Sequence, residues 1–144
     1  MKYEIVPFKP EHLKNLKTRE FEEQVLGELK ESLLKKISEP AFTGLIDGKV
    51  IAIAGVAIFW DGVGEGWVFG TDEIENHKVF FMRNVLKKLK EIEKKYNLHR
   101  VQATVVSGMK GLIRFVEFLG FKFEGRLRNY GVHKEDYLIF GRTR

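Results

Sequence analysis

The sequence predicts an α/β domain whose sheet is mixed but mainly antiparallel, flanked by helices. Three observations carry this. Period-two and period-3.6 apolar patterns follow one another in the order β-α-α-β-β-β-α-β-α-β-β. Asp47-Gly48 is a strong two-residue turn joining two apolar runs, so those runs form an antiparallel hairpin. A long helical stretch then separates Trp67–Phe69 from Arg100–Val106, and such a connection suits a parallel crossover.

Each element follows from local chemistry. Tyr3–Phe8 alternates as a first strand and is closed by Pro7 and Pro10. From Glu11 to about Ile37 the apolar spacing is helical, with Thr18 able to cap a second helix and Pro40 ending it. Ala41–Ile46 and Val50–Trp60 are the two strands of the hairpin. Asp61–Gly66 reads as a glycine-rich connection and Trp67–Phe69 as a short fourth strand. Gly70–Glu73 is a loop and helix entry, Ile74–Tyr96 a helix, and Arg100–Val106 a fifth strand. Leu112, Ile113, Phe115, Val116, Phe118 and Leu119 give the last helix a wide apolar face. Gly120 stands where that helix needs a left-handed residue to stop. Phe121, Phe123, Gly125 and Leu127 are expected on one side of a sixth strand. A turn at Asn129–Lys134 leads to a last strand with Tyr137, Leu138, Ile139 and Phe140.

Composition narrows the class. A chain of 144 residues suits one domain over 1–144, and 44% hydrophobic with 31% charged residues describes a soluble globular protein. No apolar run has the length to span a bilayer, and no signal-peptide core is seen, so a cytoplasmic protein is expected. With no cysteine there is no disulfide, thiolate metal site or Cys nucleophile. The four histidines have no ligand spacing, and no metal is expected. High Lys and Glu content suits a thermophilic source. Residues 1–75 are net −5 and residues 76–144 net +10. The basic half favours anionic partners such as a phosphorylated cofactor, although solvated helix lysines explain most of it. Arg126, Arg128, Lys134, Arg142 and Arg144 around Tyr130 come with no nucleic-acid motif, so nucleic acid is not the expected partner.

The ending Leu112–Arg142, helix–Leu-Gly-Phe–strand–turn–strand, together with the element order, resembles the GNAT superfamily of N-acetyltransferases. Two blocks sharpen the likeness. Gly66–Ile74 with Asn76, His77 and Arg83, and Val105–Phe121, are similar to a phage-encoded branch that includes internal virion proteins. The resemblance implies acetyl-CoA as cosubstrate and acyl transfer to an amine, on a small molecule or a peptide. It also implies an alternative: a non-catalytic scaffold acting as a virion or interaction protein, located in the virion.

Within that resemblance, the amides of Val68, Phe69 and Gly70 would polarise the thioester carbonyl. Thr71, Asn76, His77, Lys78 and Arg83 would surround the pyrophosphate. The loop departs from the family's glycine-rich form, with one glycine and the carboxylates Asp72, Glu73 and Glu75. Those carboxylates, and Thr71, read equally as helix-capping residues. His77 reads equally as an exposed polar residue. Val116 stands where many members have a tyrosine acid, and the region of Met109 replaces their usual Asn. Glu65 is the first choice of general base, against the commoner reading of a solvated turn carboxylate. Tyr130 is the choice of proton donor, against the reading of an exposed turn residue.

Overall fold

The computed structural model describes residues 1–14 and 40–144. The strands are β1 (Tyr3–Pro7), β2 (Ala41–Ile46), β3 (Lys49–Trp60), β4 (Val63–Gly70), β5 (Arg100–Val106), β6 (Lys122–Leu127) and β7 (Tyr137–Thr143). Helices α1 (Pro10–Lys14), α2 (Lys78–Lys95) and α3 (Lys110–Phe118) and a 3-10 turn, Asp72–Asn76, lie between them. Hydrogen bonding orders the strands β1-β2-β3-β4-β5-β7-β6. The β4–β5 pair is parallel, whereas β1–β2, β2–β3, β5–β7 and β6–β7 are antiparallel. Of the helical stretch expected from Glu11 to Ile37, the opening appears as α1. The remainder, with the Thr18 cap, lies outside the described residues.

The chain divides into two compact units. The first comprises Met1–Ala57 and Trp67–Leu89. Asp47 (φ 48°) and Gly48 (φ 78°) make the turn that the sequence predicts, and they pin β2 against β3. Leu13, Val50 and Ile53 are buried together, with Phe8, Leu45, Trp67 and Phe69 packed on them. Burying each such aliphatic side chain stabilises the fold by about 1.5–3 kcal/mol. Gly55 permits a close approach here: a Cβ would lie 2.5 Å from the Pro40 carbonyl and 2.8 Å from the Trp67 ring. Thr43, fully buried, meets His12 Nδ1 at 2.7 Å, and the Lys9 N–H donates to the same nitrogen at 3.1 Å.

The second unit comprises Ile58–Gly66 and Lys90–Arg144. The stretch expected to be a loop, Asp61–Gly66, is mostly strand. Only Asp61 and Gly62 turn, and β4 begins at Val63. Gly62 has φ 87°, and a Cβ there would lie 2.2 Å from the His99 ring. Its carbonyl accepts the N–H groups of His99 (2.8 Å) and Arg100 (3.0 Å). This anchors the start of β5 to the start of β4, so that Val63, Gly64 and Glu65 face Arg100, Val101 and Gln102.

Gly120 is left-handed (φ 91°) as expected, closing α3 over the buried Val116 and Leu119. Phe121 and Phe123 were expected on one side of the strand; Phe121 is buried. Phe123 stands on the edge strand at 60% exposure, its ring edge-on to Phe140, and the register slips between Phe123 and Gly125. A buried ion pair ties the unit together: Arg142 donates to Glu93 through Nε (2.7 Å) and Nη2 (3.0 Å), and through Nη1 to the Leu119 carbonyl (2.8 Å).

Candidate active site

In the second unit, period two of β5 builds a polar row. Val101, Ala103 and Val105 are buried, so Arg100 and Gln102 share the opposite face. The parallel register sets Glu65 of β4 beside Gln102, and Gln102 Nε2 donates to Glu65 Oε1 at 3.3 Å. Gln102 Oε1 accepts from Arg100 Nε (3.4 Å) and Nη2 (3.3 Å). Arg100 in turn grips Glu124 of β6 with both ends of its fork, Nη1 at 3.0 Å and Nη2 at 2.7 Å. These hydrogen bonds raise the Arg100 pKa and lower that of Glu124.

Tyr130 and Tyr137 complete this group. Their rings meet edge to face at 5.2 Å. Burial, and secondarily the Glu65 charge, push the Tyr130 phenol above its ordinary value. Burial, then Glu135 and Tyr130, do the same to Tyr137. Tyr130 remains 55% exposed. Both residues singled out from the sequence, Glu65 and Tyr130, are thus near enough to sense one another. The expectation for Glu65 needs correction in one respect: it is a half-buried strand residue, not a residue of a glycine-rich turn. Gln102, Arg100 and Glu124 were not singled out. The alternation Arg100-Val101-Gln102-Ala103 was the signal that could have found them.

In the first unit, Val68, Phe69 and Gly70 form the last part of β4, the first two half-buried and Gly70 buried. The helix expected from Ile74 starts four residues later, at Lys78, because the 3-10 turn intervenes. His77 therefore stands at the entry of α2 and not one turn inside it. Thr71, 6% exposed, caps the turn: its N–H and Oγ1 both donate to the Ile51 carbonyl, at 2.9 and 3.0 Å, and Oγ1 accepts from Glu73 N–H at 3.3 Å. The Ile74 N–H donates to the Thr71 carbonyl, and the His77 N–H to the Ile74 carbonyl. Four N–H groups of the Thr71–His77 stretch are therefore engaged, that of Thr71 on Ile51 and those of Glu73, Ile74 and His77 within the turn.

The side chains are engaged as well. His77 meets Tyr3 Oη through Nδ1 at 3.2 Å and lies 4.0 Å from Glu73 through Nε2, while Tyr3 packs on Phe80. Lys78 pairs with Glu75 at 3.0 Å. Asn76 and Arg83 are exposed, and Arg83 makes no hydrogen bond or ion pair with any of the described residues. Val116 is buried. Among the described residues no three His, Asp or Glu converge to hold a metal ion, and no helix is long and apolar enough to cross a membrane.

No protein-family model matches the chain, and no curated protein does. Solved structures do. An acetyltransferase of the GNAT family from Bacillus anthracis superposes with TM-score 0.74 at 16% identity, covering 99% of this chain and 95% of that one. A ribosomal-protein-S5-alanine acetyltransferase from Vibrio fischeri superposes with TM-score 0.70 at 20% identity, covering 98% and 92%. A chimera of the spermidine N-acetyltransferase SpeG of Vibrio cholerae with hSSAT superposes with TM-score 0.74 at 19% identity, covering 99% and 96%. The helix–Leu-Gly-Phe–strand ending, the parallel β4–β5 pair and these full-length superpositions agree: the chain has the GNAT fold.

Proposed function

We propose that the protein is an N-acetyltransferase that moves an acetyl group from acetyl-CoA to an amine. The observation that carries this reading is Glu65: a half-buried carboxylate on β4, held through one oxygen by Gln102 and close enough to Tyr130 to raise its pKa. Acetyl-CoA supplies the activated acetyl group as substrate. Glu65 takes the proton of the attacking amine, directly or through a water. The Tyr130 phenol returns a proton to the departing thiolate, the task Val116 cannot perform. The N–H groups of Thr71, Glu73, Ile74 and His77 are already engaged. The pyrophosphate is therefore better received at the opening of α2, where the first N–H groups, from Lys78 to Phe80, have no acceptor within the helix, with Arg83 as the nearby cation. Relatives in fold act on spermidine or on a ribosomal-protein alanine, which supports an amine of a small molecule or a peptide as acceptor.

The test is acetyl transfer to a panel of polyamines and peptide amines. Glu65→Gln should slow turnover by about a hundredfold or more. Unchanged turnover would reduce Glu65 to a structural carboxylate.

A second reading has its own observation. Asp72, Glu73 and Glu75 ring a turn whose donors are used internally, as suits a scaffold of the virion or interaction type without a ligand. Titration calorimetry separates the two: no heat with acetyl-CoA, and no transfer to any amine, selects the scaffold.

A further inference from the structure

We infer that Gln102 is a positioning residue, which aims the carboxylate of Glu65 for proton transfer and is itself held by the Arg100–Glu124 fork. The inference rests on Glu65 being the base proposed above.

The argument is one of donors and acceptors. A guanidinium has only N–H donors. The end of the Gln102 amide that faces Arg100 must therefore be its oxygen, and Oε1 lies 3.4 Å from Nε and 3.3 Å from Nη2 of Arg100. The amide nitrogen is then forced toward Glu65, where it donates to Oε1 at 3.3 Å. Turned over, the amide would set oxygen against a carboxylate and N–H against a guanidinium, losing both contacts. Arg100 cannot swing away to allow this, because Glu124 holds it by two charge-assisted hydrogen bonds.

The register of the sheet fixes the same geometry from below. Gly62 receives the N–H groups of His99 and Arg100, and Glu65 falls opposite Gln102 as a result. One oxygen of Glu65 is thereby tethered. The other, Oε2, makes no hydrogen bond or ion pair among the described residues and can accept a proton. A free carboxylate at the end of a Glu side chain samples many rotamers. Tethering one oxygen removes most of that freedom, and orientation of a reacting group contributes strongly to rate.

The experiment compares wild type, Glu65→Gln, Gln102→Leu and Gln102→Glu by steady-state acetyl transfer, and follows the Gln102 side-chain amide by nitrogen–proton NMR. The expected result has three parts. Gln102→Leu lowers kcat on the order of tenfold or more with the amine KM little changed, since orientation and not binding is lost. Gln102→Glu sets a second carboxylate beside Glu65, so the acidic limb of the rate profile moves to higher pH and activity returns as pH rises. The Gln102 amide resonance shifts as the wild-type protein is acidified and stays put in Glu65→Gln. A merely structural Gln102 would lower the melting temperature in both variants and leave the acidic limb where it was. The inference is overturned if Glu65→Gln is slow while Gln102→Leu keeps wild-type kcat and pH profile, or if the amide resonance ignores Glu65. If Glu65→Gln itself turns over at the wild-type rate, the base assignment fails instead, and the amide resonance still reports whether the tether exists.

Discussion

Replacing Arg142 by Met gives a prediction whose size follows from the geometry. Glu93 is 1% exposed, and both its oxygens are held by Arg142, at 2.7 and 3.0 Å. Methionine fills much of the same volume but leaves a carboxylate buried without its cation. Breaking a buried pair by removing one partner costs about 3–5 kcal/mol. The Arg142 side chain is 19% exposed, so water reaches the vacated position and the lower end applies, about 3 kcal/mol. The Leu119 carbonyl also loses a donor, adding about 1 kcal/mol. For a chain of this length, each kcal/mol moves the melting temperature by roughly 2–4 °C, so a drop on the order of 10 °C is expected. Thermal unfolding followed by circular dichroism measures it, with urea denaturation as a check. The double variant Glu93→Leu with Arg142→Met should recover most of the loss, because the cost lies in the orphaned charge rather than in the missing attraction. A single variant within about 1 kcal/mol of wild type would refute the reasoning, as would a double variant less stable than the single.

Two further outcomes follow from the same contacts. The Tyr130 phenol is raised mainly by burial and secondarily by Glu65, so Glu65→Gln should lower its pKa part of the way toward an ordinary tyrosine, read by ultraviolet titration against Tyr130→Phe. Because the folded value is raised, the stability this phenol contributes is present at neutral pH and is lost as pH climbs through the folded value. Thr71→Val keeps the shape and the backbone bond to Ile51 but loses the hydroxyl's bond to the Ile51 carbonyl and the cap on Glu73. About 1–2 kcal/mol of stability should go with them, measured by urea denaturation.

The fold was legible where side-chain pattern and backbone chemistry agreed. Asp47-Gly48 is a turn because both residues accept positive φ, Arg100–Val106 is a strand with period two unbroken, and Ala41–Ile46 is a strand whose alternation slips only between Gly44 and Leu45. Legibility failed where glycine stood for two things at once. Gly62 is a turn residue, but Gly64 and Gly66 are strand residues. Without a Cβ to show a face, Val63–Gly66 looked like loop, and Glu65 was placed in a turn. The start of α2 was misplaced because Asp72, Glu73 and Glu75 are good capping residues, yet the cap they serve closes a 3-10 turn first. Within the candidate site, Glu65 and Tyr130 could be chosen by chemical type and place. Gln102, Arg100 and Glu124 could not, since their roles arise from strand pairing across long sequence separations.

The two polar clusters differ in a way that bears on function. Around Thr71 the network turns inward: the hydroxyl, four N–H groups and His77 Nδ1 find partners inside the turn or on Ile51 and Tyr3. Such a network specifies a conformation and leaves little to offer a ligand. Along β5 the network is directional. It begins at the Glu124 carboxylate, passes through the Arg100 fork and the Gln102 amide, and ends on one oxygen of Glu65, with the second oxygen left over. Each member fixes the next, and the last retains capacity to accept a proton. The Tyr130 phenol has its pKa raised by burial and, secondarily, by the charge of that carboxylate. The Thr71–His77 turn sets the entry of α2, and the β5 network leaves its one spare oxygen on Glu65.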